Sequence, residues 1–273
     1  MFYFAIFLSA ILTAIYTAAA LQSGKGLKAA VRWNNAPLSD EEYFVSVIVA
    51  ARNEEHNIPD LLDCLQRQDY DKYEVILVDD DSEDGTAEIA GRLIEGRENF
   101  HLLSAEPNTL GWGPKKNALH TGIKAAKGEL IFTTDADCRP GKSWISGMVR
   151  YFDERTAAVV GYSPLVCKDN LKGRLKSLEA VAVATVAAGF AGIGKPMLAV
   201  GRNFAYRKDV YFELGGFGES GKAPAGDDDL LVQAIGKKQQ VHFAFHPDTF
   251  VHSYPEEKNY IQRKRRHFAV ARY

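Results

Sequence analysis

Cysteine is scarce in this chain. Cys64, Cys138 and Cys167 are an odd set without CxxC spacing, which argues against both a disulfide framework and a zinc site and fits a reducing compartment. Charge of either sign is not in excess. With 33 Lys and Arg against 35 Asp and Glu, the formal net charge is −2, so nucleic acid is not indicated as a partner and any basic feature is local. There is no large internal repeat and no low-complexity tract. Nor does any Lys or Arg precede the first apolar run, which removes the basic start that a cleavable signal peptide wants. What is present is 273 residues with 46% hydrophobic content, enough for one α/β domain with attachments.

Phe2 to Leu21 carries no charge, and roughly 20 apolar residues suffice for a helix to cross a bilayer core. The segment reads as a transmembrane helix, with a buried helix as the alternative. Lys25, Lys28 and Arg32 follow it, and the positive-inside rule places that side in the cytoplasm. A second uncharged stretch, Ala180 to Gly194, is short for a span and reads as a packed or interfacial helix beside the membrane.

After a polar linker, short β-branched runs alternate with helical ones. The pattern predicts strands at 43–51, 73–78, 100–104 and 129–134, and helices at 58–68, 86–94 and 117–126, with Asp84 as a cap and Gly128 as a stop. Such alternation implies a mostly parallel sheet whose ligand site lies beyond the carboxyl ends of the strands. Beyond residue 150 the rhythm loosens into strands and loops.

The polar residues at those strand ends carry the chemistry. Asp135 and Asp137, one residue apart after Leu130–Thr134, can both reach a hard divalent cation such as Mg²⁺ or Mn²⁺, directly or through its waters. Solvated loop carboxylates are the plain alternative. An aspartyl phosphatase also uses two such acids, but it usually wants Thr or Val two places after the second, where this chain has Arg139-Pro140. Asp79-Asp80-Asp81 would repel one another unless donors or cations hold them; a nucleoside offers a base N–H and ribose hydroxyls. Helix capping accounts equally for Ser82 and Asp84.

Val45–Glu55, then Val78–Thr86, then Asp135-Ala136-Asp137 resemble, in order and spacing, the nucleotide-binding half of family 2 glycosyltransferases. Gly201–Arg207, Leu214–Phe217 and Gly226–Leu230 resemble the acceptor-side segments, and Gln262-Arg263-Lys264-Arg265-Arg266 resembles the Gln-x-x-Arg-Trp motif of membrane-bound synthases, with Arg266 where tryptophan is usual. The resemblance covers roughly residues 43 to 270 and implies a glycosyltransferase A-type α/β fold.

It also implies roles. Ala51, Arg52, Glu54, Asp79 and Asp80 would hold the nucleoside, and Lys115 the donor phosphates, with a plain surface lysine as the alternative. Asp137 would be the metal ligand, with Asp135 on the ribose or the metal and Ala136 against the nucleotide sugar. Asp228 would accept the acceptor's proton; Asp227 and Asp229 are its rivals, because Asp-Asp-Asp replaces the family's Glu-Asp. Gln262, Arg263 and Arg265 would hold the diphosphate and the acceptor sugar, while a basic juxtamembrane cluster attracted to anionic lipid is compatible with the same residues. His120 replaces the family's Asn and is left without a role.

The expected organisation is a membrane anchor at 1–23, a linker at 24–42 and a catalytic domain at 43–273, divided at residue 140 into nucleotide-binding and acceptor-side halves. The expected activity is inverting, metal-dependent transfer from a nucleotide sugar, UDP-linked by preference, to a lipid-linked or glycan acceptor at the cytoplasmic face of the inner membrane. A non-catalytic membrane protein that keeps the fold and binds nucleotide or lipid is the competing reading.

Overall fold

The computed structural model describes residues 17, 20–35, 39–223, 226 and 228–254. Most of the expected membrane anchor therefore lies outside the described residues, as do Asp227, Gln262, Arg263 and Arg265. The strands are β1 (Val45–Ala51), β2 (Tyr73–Asp79), β3 (Phe100–Ser104), β4 (Leu130–Thr133), β5 (Cys138–Pro140), β6 (Thr156–Gly161), β7 (Phe204–Arg207), β8 (Gln240–Ala244) and β9 (Val251–Ser253). The helices are α1 (20–34), α2 (Ile58–Gln66), α3 (Thr86–Ile94), α4 (Pro114–Ala125), α5 (Trp144–Val149), α6 (Leu171–Gly192), α7 (Lys208–Glu213) and α8 (Asp229–Gly236).

Seven strands form one sheet in the order β3-β2-β1-β4-β7-β6-β8, and β5 pairs with β9 in a separate ribbon. The pairs β3–β2, β2–β1, β1–β4 and β6–β8 are parallel, whereas β7 runs antiparallel to both of its neighbours. The region beyond residue 150, where the sequence rhythm fades, thus completes the same sheet. Its strands are short and separated by long excursions, so their periodicity is carried by too few residues to read locally.

Strand periodicity explains the layers. Val45, Val47 and Val49 of β1, with Val75 and Leu77 of β2, pack on one face against Ile58, Leu61, Leu62 and Leu65 of α2 and against α5. Ile48, Ile76 and Val78 point to the other face, where α4 covers them, while α6, α7 and α8 cover the same side farther along the sheet over β6, β7 and β8. With apolar residues on both faces, the central strands read as continuous hydrophobic runs. The buried polar side chains Ser46 and Glu74 are paired: Glu74 accepts from Ser46 Oγ (2.6 Å) and Lys127 N (2.6 Å), and Ser46 Oγ accepts from Gly128 N (2.8 Å). Gly128, expected to stop a helix, has a different task. Helix α4 already ends at Ala125, and a Cβ at Gly128 would stand 2.5 Å from Ser46 N.

The segment expected as linker is helical through residue 34. Helix α1 crosses α6 glycine on glycine: a Cβ at Gly26 would collide with Gly189 O, one at Gly192 with Gly26 O, and one at Gly189 with Ser23. Farther along α1, Trp33 stacks on His242 of β8 with ring centroids 3.8 Å apart and also meets Tyr151. Among the described residues α6 is the helix long and apolar enough to cross a membrane, by length and composition only. It extends nine residues upstream of the apolar stretch recognised in the sequence, because Asn170 caps it through a bond from Gly173 N (2.8 Å).

Two outcomes are expected. Gly189→Val should force α1 and α6 apart and cost about 1–3 kcal/mol, read as a lower denaturant midpoint. Burial pushes the His242 imidazole down to about 4, with Asp153 opposing. The unfolded chain, titrating near 6.5, then binds this proton more readily than the folded one, so stability should fall as pH drops from about 6.5 towards 4. His242→Gln should flatten that part of the pH profile, measured as midpoint against pH.

Candidate active site

Strands β1 and β2 end in register, Ala51 opposite Asp79, and Asp80 N donates to Ala51 O (2.8 Å). Just beyond, Asn53 and Asp81 take left-handed backbone angles, φ 55° and 60°, which Asn and Asp tolerate better than other side chains. The two loops then hold each other. Asn53 N donates to Ser82 Oγ (3.0 Å), Glu83 N to Asn53 Oδ1 (2.8 Å), Glu54 N to Thr86 Oγ1 (2.7 Å) and Gly85 N to Glu55 Oε2 (2.9 Å). Asp84 receives Thr86 N (2.9 Å). Ser82 and Asp84 are thus occupied in holding the loops and the start of α3.

Asp79 Oδ2 accepts from Ser82 N (3.3 Å), whereas its Oδ1 is buried with no hydrogen-bond partner. Such an orphan acceptor costs free energy unless a ligand supplies a donor. Asp80 is held above the ordinary carboxylate range by burial, with Arg52 opposing and the charges of Asp79 and Asp81 adding to it. The strand end is therefore short of positive charge and of N–H or O–H donors.

Asp135 and Asp137 flank buried Ala136 immediately after β4. Lys115, at the start of α4, places Nζ 2.9 Å from Asp135 Oδ1. Arg139, whose side chain is 15% exposed, fixes the loop from behind. It donates to Asp60 Oδ2 (2.9 Å), Asn57 Oδ1 (3.3 Å), Cys138 O (2.9 Å) and Ala136 O (3.3 Å), and lies 5.5 Å from the Tyr254 ring centre. Tyr254 N donates to Asp137 O (2.9 Å). Among the described residues no group of three His, Cys, Asp or Glu side chains forms a metal cage. Two carboxylates without a cage fit a hard divalent ion that completes its shell with water and diphosphate oxygens, rather than a structural metal.

Asp228 caps α8, its Oδ1 accepting from Asp229 N (2.9 Å). Its Oδ2 accepts from Gly201 N (2.7 Å), and Gly201 O accepts from Thr133 Oγ1 (2.7 Å). A single residue, Gly201, thus ties Asp228 to the strand that leads into Asp135 and Asp137, and a small pocket lined by Thr133, Gly201, Phe204, Tyr206 and Asp228 opens beside it. Asp229 instead accepts from Ala199 N (2.9 Å).

Several supporting residues escaped the sequence reading. Asn203 is fully buried, accepts from Trp144 Nε1 (3.0 Å), and donates to Tyr162 O (2.8 Å) and Thr249 O (2.8 Å). Beside it Arg202 donates to Ser163 Oγ (2.7 Å). Lys116, buried next to Lys115, donates to Ser220 O (2.6 Å) and Ala223 O (2.9 Å). His120 meets Tyr211 OH through Nδ1 (2.9 Å). The only signal in the sequence was their place inside motifs already noticed for other residues.

The sequence profile of glycosyl transferase family 2 matches residues 46–215. The chain belongs to this family. The probable glycosyltransferase YdaM of Bacillus subtilis is 29% identical over 205 residues, covering 73% of this chain and 48% of YdaM. Glycosyltransferase AglE of Haloferax volcanii is 36% identical over 104 residues, covering 37% of this chain and 33% of AglE. The chain thus spans less than half the length of these relatives. Among solved structures, mannosyltransferase PcManGT from Pyrobaculum calidifontis, in complex with GDP-Man and Mn²⁺, superposes with a TM-score of 0.66 at 24% identity, covering 95% of this chain and 72% of that one. S. aureus TarS, in complex with UDP-GlcNAc, gives 0.55 at 20% identity, covering 78% of this chain and 59% of that one. The fold is therefore the glycosyltransferase A type.

Removing the amide that joins these layers should be costly. Asn203→Ala removes the partner of Trp144 Nε1 and of Thr249 O and leaves Tyr162 O with only the long bond from Val251 N (3.4 Å), and should destabilise the protein by about 2–4 kcal/mol, measured by chemical denaturation.

Proposed function

We propose that this protein transfers a sugar from a nucleotide-sugar donor to a lipid-linked or glycan acceptor, with inversion at the anomeric carbon, at the cytoplasmic face of a membrane. The observation that carries the reading is the bridge from Asp228 through Gly201 to Thr133, which joins a carboxylate able to take a proton to the strand bearing Asp135 and Asp137. Residues 43–140 would bind the nucleotide and 141–273 the acceptor, with 1–23 as anchor. The nucleotide-sugar complexes of PcManGT and TarS support the donor class, and both UDP- and GDP-sugars are candidates, UDP being favoured by the motif resemblance.

In this reading the nucleoside lies against Ala51, Arg52, Glu54, Asp79 and Asp80, and its donors satisfy Asp79 Oδ1. Lys115 would turn from Asp135 towards the donor phosphates. Asp137, with Asp135, would hold Mg²⁺ or Mn²⁺, which when bound offsets charge on the departing diphosphate. Asp228 would accept the acceptor hydroxyl's proton as that oxygen attacks the anomeric carbon; the glycosidic bond forms as the sugar–phosphate bond breaks. The two backbone N–H groups on its carboxylate hold it in place. Asp227, Gln262, Arg263 and Arg265 remain candidates on the strength of the motif resemblance alone.

The test is a screen of UDP- and GDP-sugars for transfer and hydrolysis with Mn²⁺ and Mg²⁺, using the full chain in detergent. Chelation and Asp137→Ala should each abolish donor turnover, and Lys115→Ala should raise donor KM. Asp228→Asn should lower transfer by about 10²–10⁴-fold with donor affinity kept. Nucleotide binding without turnover of any donor would establish the non-catalytic reading instead, and turnover unchanged in Asp137→Ala would overturn the metal assignment.

A further inference from the structure

Helix α6 is the feature that the chemistry leaves unexplained. Its inner face, Ala184, Ala187, Ala188 and Ala191, packs into the core, and its glycines meet α1. Its outer face is apolar as well: Leu171 is 75% exposed, Leu175 57% and Leu178 65%, and Val181, Val183 and Val186 continue the exposure along the helix. A surface groove of about 470 Å³ opens on this face between Leu171, Lys172, Leu175, Lys176 and Glu179. A run of large apolar side chains in water over about 22 Å of helix is costly unless something covers it.

Two observations identify the cover. First, charge around the stripe is mostly positive. The segments 20–34 and 168–195 hold eight Lys or Arg against two acids, in a chain whose net charge is −2. Lys25, Lys28, Arg32, Lys172, Arg174 and Lys195 are exposed, Arg174 pairing with Asp169. An apolar stripe with cationic flanks matches a bilayer interface bearing anionic headgroups. A second copy of the chain would bring like charges together in an isologous contact. Second, α1 lies directly against α6 and continues the uncharged run Phe2 to Leu21, so the stripe sits beside the place where the chain would meet a bilayer.

We infer that α6 lies in the plane of the membrane, with Leu171, Leu175 and Leu178 in the headgroup–acyl boundary of an anionic leaflet, and docks the sheet edge at β8 onto the lipid. Because its opposite face is packed into the domain, α6 is a surface contact and not a crossing. The inference rests on the membrane association proposed above and adds which face is turned to the lipid.

The experiment uses the full chain in vesicles of phosphatidylcholine and phosphatidylglycerol, with and without acyl-brominated lipid. Leu175→Trp and Leu178→Trp are compared with Leu93→Trp on α3, which covers the opposite end of the sheet near β3. Emission above the background of Trp33, Trp112 and Trp144 is read for each. Bromolipid should quench the two α6 variants at least about twofold more than Leu93→Trp, and omitting phosphatidylglycerol should weaken that quenching. Donor hydrolysis in detergent verifies that each variant is folded. Vesicle-bound protein with no extra quenching at α6 would overturn this inference and leave membrane association standing; protein that does not bind vesicles would overturn the association itself. A lipid-independent, concentration-dependent blue shift at position 175 would assign the stripe to a second copy, and equal quenching without phosphatidylglycerol would remove the anionic lipid from the inference.

Discussion

The backbone of Gly201 joins the two halves of the site: its N–H goes to Asp228 and its carbonyl accepts from Thr133. Moving either partner would break one of these bonds, although buried Thr133 Oγ1 would keep Phe204 O as a second acceptor (3.2 Å). Gly201 is itself held by its neighbour Asn203, whose amide bonds three separate segments. The chain from Trp144 through Asn203 and Gly201 to Asp228 therefore converts core packing into the placement of one carboxylate. Gly161 makes room for it, since a Cβ there would strike the Asn203 side chain.

The same edge of the sheet collects carboxylates in a way only ligands resolve. Parallel strands bring Asp79, Asp80, Asp135 and Asp137 to one end, where their repulsion is countered by Lys115, Arg52 and backbone N–H groups. Burial still raises Asp80, and one oxygen of Asp79 has no partner. Such groups add nothing to stability; the proposed nucleoside and cation would satisfy them. Arg139 and Lys116 perform the complementary task, fixing the backbone of the loops that carry the carboxylates while staying out of the cleft themselves.

Packing on the far side obeys a different constraint. Small residues let α1 and α6 approach until backbone meets backbone, and the large apolar residues of α6 are turned outward instead. This inverts the usual amphipathic arrangement and couples the sheet edge at β8, through Trp33 on His242, to the helix that follows the N-terminal apolar run.

The sequence by itself determined what local period and short spacing can carry. The alternation of Val45–Ala51 and Tyr73–Val78, the place of the acidic motifs at strand ends, and the family all followed from residues adjacent in the chain. Strand boundaries agreed to within a residue or two, and helix α4 started three residues early because Pro114 suits a first turn. Tertiary structure alone decided the rest. That β7 lies antiparallel between β4 and β6 depends on distant pairings such as Thr133 with Phe204 and Val160 with Phe204, which no local pattern encodes. The partners of Asn203, Lys116 and Arg139 lie far away in sequence, so their roles were invisible while their motifs were plain. The difference between Asp228 and Asp229 is likewise three-dimensional: Asp228 meets Gly201 N and Asp229 meets Ala199 N, while Asp227 lies outside the described residues.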